Sequence, residues 1–104
     1  ILLQVNNANE ETKFGFSVDE VKEVFEEIIH LDSLEVVGLM NIAPNIDNSE
    51  ELHKLFRNIK ELRDYLQDKY NYALPELSMG MSNDYKIAIQ EGSTMIRLGQ
   101  ILFN

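Results

Sequence analysis

Ser78, Gly80, Ser82 and Arg97 are the residues of this chain whose types and spacing best suit a chemical task, and that task is holding an anion. They lie in two stretches, Leu77-Ser78-Met79-Gly80-Met81-Ser82-Asn83-Asp84 and Gly92-Ser93-Thr94-Met95-Ile96-Arg97-Leu98-Gly99. A turn carrying Gly80 can present backbone N–H groups, Ser82 can head a helix whose first amides lack partners, and Arg97 can bring a fixed charge to the end of the next strand. Together they describe a phosphate cup between two successive strand ends. Ser and Gly also mark ordinary turns and caps. The residues alone therefore leave Ser78 divided between an anion contact and a turn hydroxyl, and Arg97 between an anion and a structural ion pair.

Such a cup needs strands and helices in alternation to carry it, and the rest of the chain has that pattern. Ile1 to Val5 is an apolar run ended by Asn6, Asn7 and Asn9, as a buried strand entering a loop would be. Residues 9–16 follow no period and read as a βα loop. Ser17 with Glu20 three residues later forms a capping-box pattern, and Val18, Val21, Phe25, Ile28 and Ile29 then repeat at helical spacing, which predicts a helix from residue 18 to Leu31. Leu34 to Ile42 is apolar without alternation, the pattern of a strand covered by helices on both faces, and Pro44 ends it. Asn48 with Glu51 offers a second capping box, followed by the stripe Leu52, Leu55, Phe56, Ile59, Leu62 and Leu66 of a long helix reaching Tyr70. A third strand at Glu76 to Met79, a helix from Ser82 to Glu91 and a fourth strand at Thr94 to Arg97 complete a β-α-β-α-β-α-β order, which implies a parallel sheet. Four strands make a poor closed barrel, so the pattern fits a small open sheet or part of a larger barrel.

Composition narrows the function. The 104 residues, 44% hydrophobic, suffice for one modest core. Eighteen acidic residues against nine basic ones give a formal charge of -9, which disfavours nucleic acid or an anionic membrane as partner while leaving room for a local positive site. Without Cys there is no disulfide, thiolate catalysis or cysteine-ligated metal, which fits a reducing compartment such as the cytoplasm. No apolar stretch is long enough to span a bilayer. The first residue is not Met, and the chain reads as the interior of a longer polypeptide. His30 and His53 sit in no metal-ligand spacing and read as surface residues, so no metal site is expected. Asp19, Glu20, Glu23, Glu26 and Glu27 read as a solvated helix face, Met79 and Met81 as packing at a rim, Ser82 as a helix cap, and Tyr65, Tyr70 and Tyr72 as packing groups.

Four blocks in this order resemble the pyridoxal-phosphate homeostasis proteins, a family related to the N-terminal barrel domain of alanine racemase. They are Leu3-Gln4-Val5-Asn6 with residues 10–16; Gly38-Leu39-Met40-Asn41-Ile42-Ala43-Pro44; residues 77–84; and residues 92–103. The last two blocks are the specific ones, and the four together cover nearly the whole chain. The resemblance implies an α/β fold, the second half of a TIM-type (β/α)8 barrel of fold type III, with residues 1–104 as its C-terminal half-barrel segment and the N-terminal half-barrel missing. It implies pyridoxal 5'-phosphate as cofactor at the C-terminal strand ends and a role in vitamin B6 and amino-acid balance, without secure enzymatic activity. The family's Schiff-base lysine belongs to an earlier strand outside these residues, so Lys13 is not that lysine and reads as a partner of Glu10 or Glu11. Carried over residue by residue, Ser78 matches the phosphate-contacting hydroxyl, Arg97 the residue near phosphate and pyridine, and Gly99 with Gln100 the backbone contact. Gln100 stands where a small residue, usually Thr, is expected, which leaves a backbone N–H but no hydroxyl.

Two other classes remain beside the cofactor-binding reading. One is an amino-acid racemase-like enzyme whose missing sequence supplies the lysine and whose partner surface supplies another acid-base group; the other is a structural half-barrel that assembles through its apolar strand edges. Amino acids stand as candidate further ligands in the first two readings.

Overall fold

In the computed structural model, residues 1–6, 15–31, 33–41, 48–81 and 84–97 are described. They form β1 (Leu2–Gln4), α1 (Val18–Ile29), β2 (Gly38–Met40), α2 (Ser49–Tyr70), β3 (Glu76–Met81), α3 (Tyr85–Gln90) and β4 (Met95–Arg97). The strands make one parallel sheet in the order β1-β2-β3-β4, so each helix carries the chain to the neighbouring strand. The expected alternation of elements is present, in a form consistent with part of a TIM-type barrel.

Local chemistry sets the helix bounds. The Ser17 hydroxyl accepts from Glu20 N at 3.1 Å while Glu20 Oε1 accepts from Ser17 N at 3.0 Å, so the capping box is closed in both directions. These bonds favour the ionised form of Glu20, and its carboxyl lies below the ordinary glutamate range, chiefly through the Ser17 amide. α1 stops at Ile29, two residues short of the expected Leu31, because His30 takes the C-cap position. At α2 the Asn48 side chain accepts from Glu51 N at 3.2 Å. The helix ends at Asn71, in the left-handed region at φ 48°, a conformation that Asn tolerates better than most residues. Beyond it, Gln67 Oε1 accepts from Leu74 N at 2.8 Å and Arg63 Nη1 donates to Leu74 O at 3.2 Å, which fastens the lead into β3 to α2.

Register determines the packing. Leu3, Leu39 and Leu77 stand in one row across β1, β2 and β3, and all are buried. Val5 and Met79 share their side of the sheet, because successive strand residues face opposite ways. Against this face lie Val21 and Phe25 of α1 and Leu52, Phe56, Ile59, Leu62 and Leu66 of α2, all in a single core. The helical stripes are therefore as expected, except that Leu55 is only half-buried. Phe25 is the hinge of the packing between α1 and the end of α2, with the Tyr70 ring 5.2 Å away and the Tyr72 ring edge-on at 5.9 Å. Tyr65 is more exposed and stands under Lys22 and Lys69.

The apolar strand residues of the core share one side of the sheet, which corrects the expectation of helices on both faces. Gln4, Met40, Ser78 and Met95 form the corresponding row on the other side. Unalternating apolar sequence still arises because Leu2, Met40 and Met95 sit on that second face, where a barrel would close over them. β2 is also shorter than expected. Among the described residues of the apolar run, Gly38–Met40 form the strand, in register with three residues each of β1 and β3.

Candidate functional site

Of the residues singled out for anion chemistry, Ser78, Gly80 and the backbone of Arg97 stand toward the C-terminal ends of β3 and β4. Gln4 and Met40 close β1 and β2, and Ser78 stands level with them in β3. Ser78 is buried, at 4% exposure, on the sheet side away from the helical core. Its backbone oxygen accepts from Asn41 N at 3.0 Å, so the β2 end and β3 are joined beside it.

Between β3 and β4 the register slips. Ser78 pairs with Met95 and Met81 pairs with Arg97, so three steps along β3 match two along β4. The additional residue is a β-bulge, and Gly80 within it has φ +98°, a conformation that costs a side-chain-bearing residue energy. The consequence is positional. Arg97 is carried level with Met81 at the strand end, two places past the row of Ser78, so the two expected phosphate residues occupy adjacent strands at successive levels. Gly99 and Gln100 lie outside the described residues, as do Lys13 and Ser82.

The turn after β3 differs from the expected cup. α3 begins at Tyr85 with Asp84 in the N-cap position, three residues later than the sequence pattern suggests. Asp84 is buried and does not cap the helix with its side chain. Its Oδ1 instead accepts from Met81 N at 2.6 Å, while Asp84 N donates to Met81 O at 3.1 Å. A carboxylate of the chain itself thus holds an amide that the sequence pattern leaves open to an external anion. An Asp side chain closing a local backbone turn is a common alternative to capping, and only the spacing Met81 to Asp84 hinted at it.

Below the site, Ser93 and Thr94 lock β4 to β3. Thr94 Oγ1 accepts from Leu77 N at 2.8 Å and donates to Glu76 Oε2 at 2.8 Å; Ser93 Oγ donates to Met79 O or Met95 O, each at 2.8 Å. Met79 is fully buried in the core, the packing role expected of it, and Met81 stays exposed at the rim.

A second polar group joins α2 to the end of α3 on the outer surface. His53 Nδ1 lies 2.6 Å from Glu91 Oε2, and Arg57 donates to the same carboxylate through Nε and Nη2, both at 3.2 Å. The residues are 34 and more positions apart, so no local spacing announced the contact. Glu91 is held below the ordinary glutamate value of 4.5, first by the Arg57 hydrogen bonds and next by His53, against a smaller opposing effect of burial. A carboxylate favoured in the folded state stabilises the fold above its unfolded pKa, and that contribution disappears as pH falls through the folded one. Glu91→Gln should therefore unfold slightly more readily than the parent at neutral pH, and the difference should close below pH 4.5. Denaturant titrations at several pH values check this, and a difference that widens in acid would refute it. Arg57 is largely exposed, so the gap should be small and shrink further in salt.

Among the described residues no group of three or more His, Cys, Asp or Glu side chains is arranged to hold a metal, and no helix is long and apolar enough to cross a membrane.

The arrangement of the sheet and its strand-end residues has clear relatives. The family model described as alanine racemase, N-terminal domain, matches residues 1–104. The pyridoxal phosphate homeostasis protein of Aquifex aeolicus is 48% identical over 99% of this chain and 45% of its own length, and that of Synechocystis 39% identical over 98% and 47%. PipY of Synechococcus elongatus superposes with a TM-score of 0.92 at 34% identity when solved without PLP, and 0.86 at 32% identity with PLP bound, in each case over 99% of this chain and 48% of PipY. The chain belongs to the alanine racemase N-terminal-domain family, within its pyridoxal phosphate homeostasis branch. It spans a little under half the length of these relatives.

Proposed function

We propose that the protein carrying this chain binds pyridoxal 5'-phosphate at the C-terminal strand ends and serves vitamin B6 and amino-acid homeostasis. In this reading residues 1–104 are the C-terminal half of a (β/α)8 barrel and supply its phosphate side. The observation that carries it is the superposition on PipY with PLP bound, over nearly the whole chain. Within this chain, the fit to a phosphate rests on Ser78 at the helix-free side of the sheet and on the bulge that brings Arg97 to the strand end.

The proposed holders of the phosphate are the Ser78 hydroxyl, the Arg97 guanidinium and the backbone of Gly99 and Gln100. A guanidinium matches phosphate oxygens with paired donors and keeps its charge at any working pH. When bound, the cofactor offers an aldehyde for amines, and the lysine that would capture it belongs to the missing N-terminal half-barrel. A cofactor enzyme also needs positioned acid-base groups; the likeness to pyridoxal phosphate homeostasis proteins over nearly the whole chain favours a binding protein over a racemase. Amino acids fit as further ligands through the same aldehyde. The acidic composition argues against nucleic acid, and a cytoplasmic setting fits the lack of Cys. The helix-free face, where Met95 is 45% exposed, suits coverage by the other half of the barrel.

The test is a titration of the full-length protein with pyridoxal phosphate, followed by absorbance and by mass after borohydride trapping. Saturable one-to-one binding is expected, weakened roughly tenfold or more by Ser78→Ala and by Arg97→Gln. Absence of saturable binding by the parent would overturn the reading, and unchanged affinity in both variants would overturn the residue assignment.

A further inference from the structure

We infer that Asp84 is a positioning residue for the phosphate end of the site: by holding the Met81 amide, its buried carboxylate fixes the β3 bulge that sets Ser78 and Arg97 at their relative levels. The inference rests on the cofactor reading above and adds to it a residue that touches neither cofactor nor substrate.

Three observations meet at this turn. Met81 is the β3 residue paired with Arg97, so whatever holds Met81 also sets the level of β4 at its end. Met81 is held from both sides by one residue, its N–H by Asp84 Oδ1 at 2.6 Å and its carbonyl by Asp84 N at 3.1 Å. The segment between Ser78 and Met81 contains the bulge, with Gly80 at φ +98°. A bulge leaves the ladder locally unpaired, so the ladder bonds alone leave several placements of the additional residue open. A side chain that occupies one particular amide selects among them. Asp84 is 6% exposed, and its backbone oxygen accepts from Ala88 N at 3.1 Å, so α3 anchors it in turn.

The carboxylate has a second effect. It fills the amide at the β3 turn, where a phosphate would otherwise be drawn, and its charge repels an anion from that spot. The phosphate is left to Ser78 and the β4 end. Hydrogen bonding and charge can be separated by substitution: Asn retains the Oδ1 acceptor without the charge, whereas Ala removes both.

The experiment uses the full-length protein and compares Asp84→Ala and Asp84→Asn with the parent, measuring affinity for pyridoxal phosphate and for pyridoxal, which lacks the phosphate. Asp84→Ala should weaken pyridoxal phosphate by roughly tenfold and pyridoxal much less, while Asp84→Asn should bind pyridoxal phosphate at least as tightly as the parent. A merely structural role would lower both affinities together. Equal losses for the two ligands, no loss in Asp84→Ala, or a loss in Asp84→Asn matching that in Asp84→Ala would each overturn the inference. Failure of the parent to bind pyridoxal phosphate would instead overturn the cofactor reading itself. Should Asp84→Ala not fold, the inference stands or falls on Asp84→Asn, which it requires to bind at parental strength with a parental preference for the phosphorylated ligand.

Discussion

Gly38→Ala is expected to destabilise the protein by about 3 kcal/mol or more, a large loss for a change of one methyl group. Gly38 pairs with Leu2 on one side and Glu76 on the other, in the middle of three strands. A Cβ built there would lie 1.8 Å from Glu76 O, 2.6 Å from Glu76 C and 2.9 Å from Glu76 Cβ. The nearest obstacles are backbone atoms, so rotating a side chain cannot relieve them. Moving the strands apart would stretch Glu76 N→Val37 O, at 2.9 Å, and Asn41 N→Ser78 O, at 3.0 Å, on either side of the contact. Unpairing a buried ladder bond costs about as much as the overlap it would relieve. Equilibrium denaturation of the variant checks the value, and a loss under about 1 kcal/mol would show that β2 and β3 can separate at this point.

The same glycine illustrates what the sequence made legible. Its position inside an apolar run was visible, as were the helical stripes, the Ser17 cap and the alternation of elements, because each depends on neighbours within a turn or two of the chain. The reason Gly38 is a glycine was not visible, since it depends on Glu76, which the fold brings to it from another strand. The same holds for Glu91, whose partners His53 and Arg57 come from another helix. Sidedness failed for a related reason. A strand buried under helices on both faces and one facing a barrel interior have the same apolar run, so Leu34 to Ile42 could not distinguish them. At the candidate site, residue type and spacing single out Ser78 and Arg97 and the family resemblance adds the phosphate role expected of them, while the register slip that relates them and the Asp84 carboxylate that holds Met81 N are facts of geometry. α3 starts later than the pattern predicts: Ser82 has the chemistry of a cap, whereas Asp84 takes the N-cap position and spends its side chain on Met81.

Gly80→Ala should cost about 2 to 4 kcal/mol, from two sources that a second substitution can separate. One is intrinsic. At φ +98° a Cβ is strained wherever it is placed, and no neighbour can relieve that. The other is contact: the Cβ would lie 2.7 Å from Ala88 Cβ, 3.2 Å from Tyr85 Cα and 3.4 Å from Ile96 Cγ2. Ala88 is fully buried on α3, so the helix lies against the bulge at a distance only a glycine permits. Ala88→Gly alone should cost roughly 1 kcal/mol through helix propensity. Combined with Gly80→Ala it should cost less than the sum of the two, because it removes the 2.7 Å contact and leaves the strain of the positive φ with the lesser approach to Tyr85 Cα at 3.2 Å. Strict additivity in the double-mutant cycle would mean that α3 moves away freely and that Gly80 is required for its backbone conformation alone. A favourable coupling would mean that the bulge, α3 and the Asp84 turn move as one unit. In that case Gly80→Ala should also weaken pyridoxal phosphate in the full-length protein, by moving the Met81 amide that Asp84 holds.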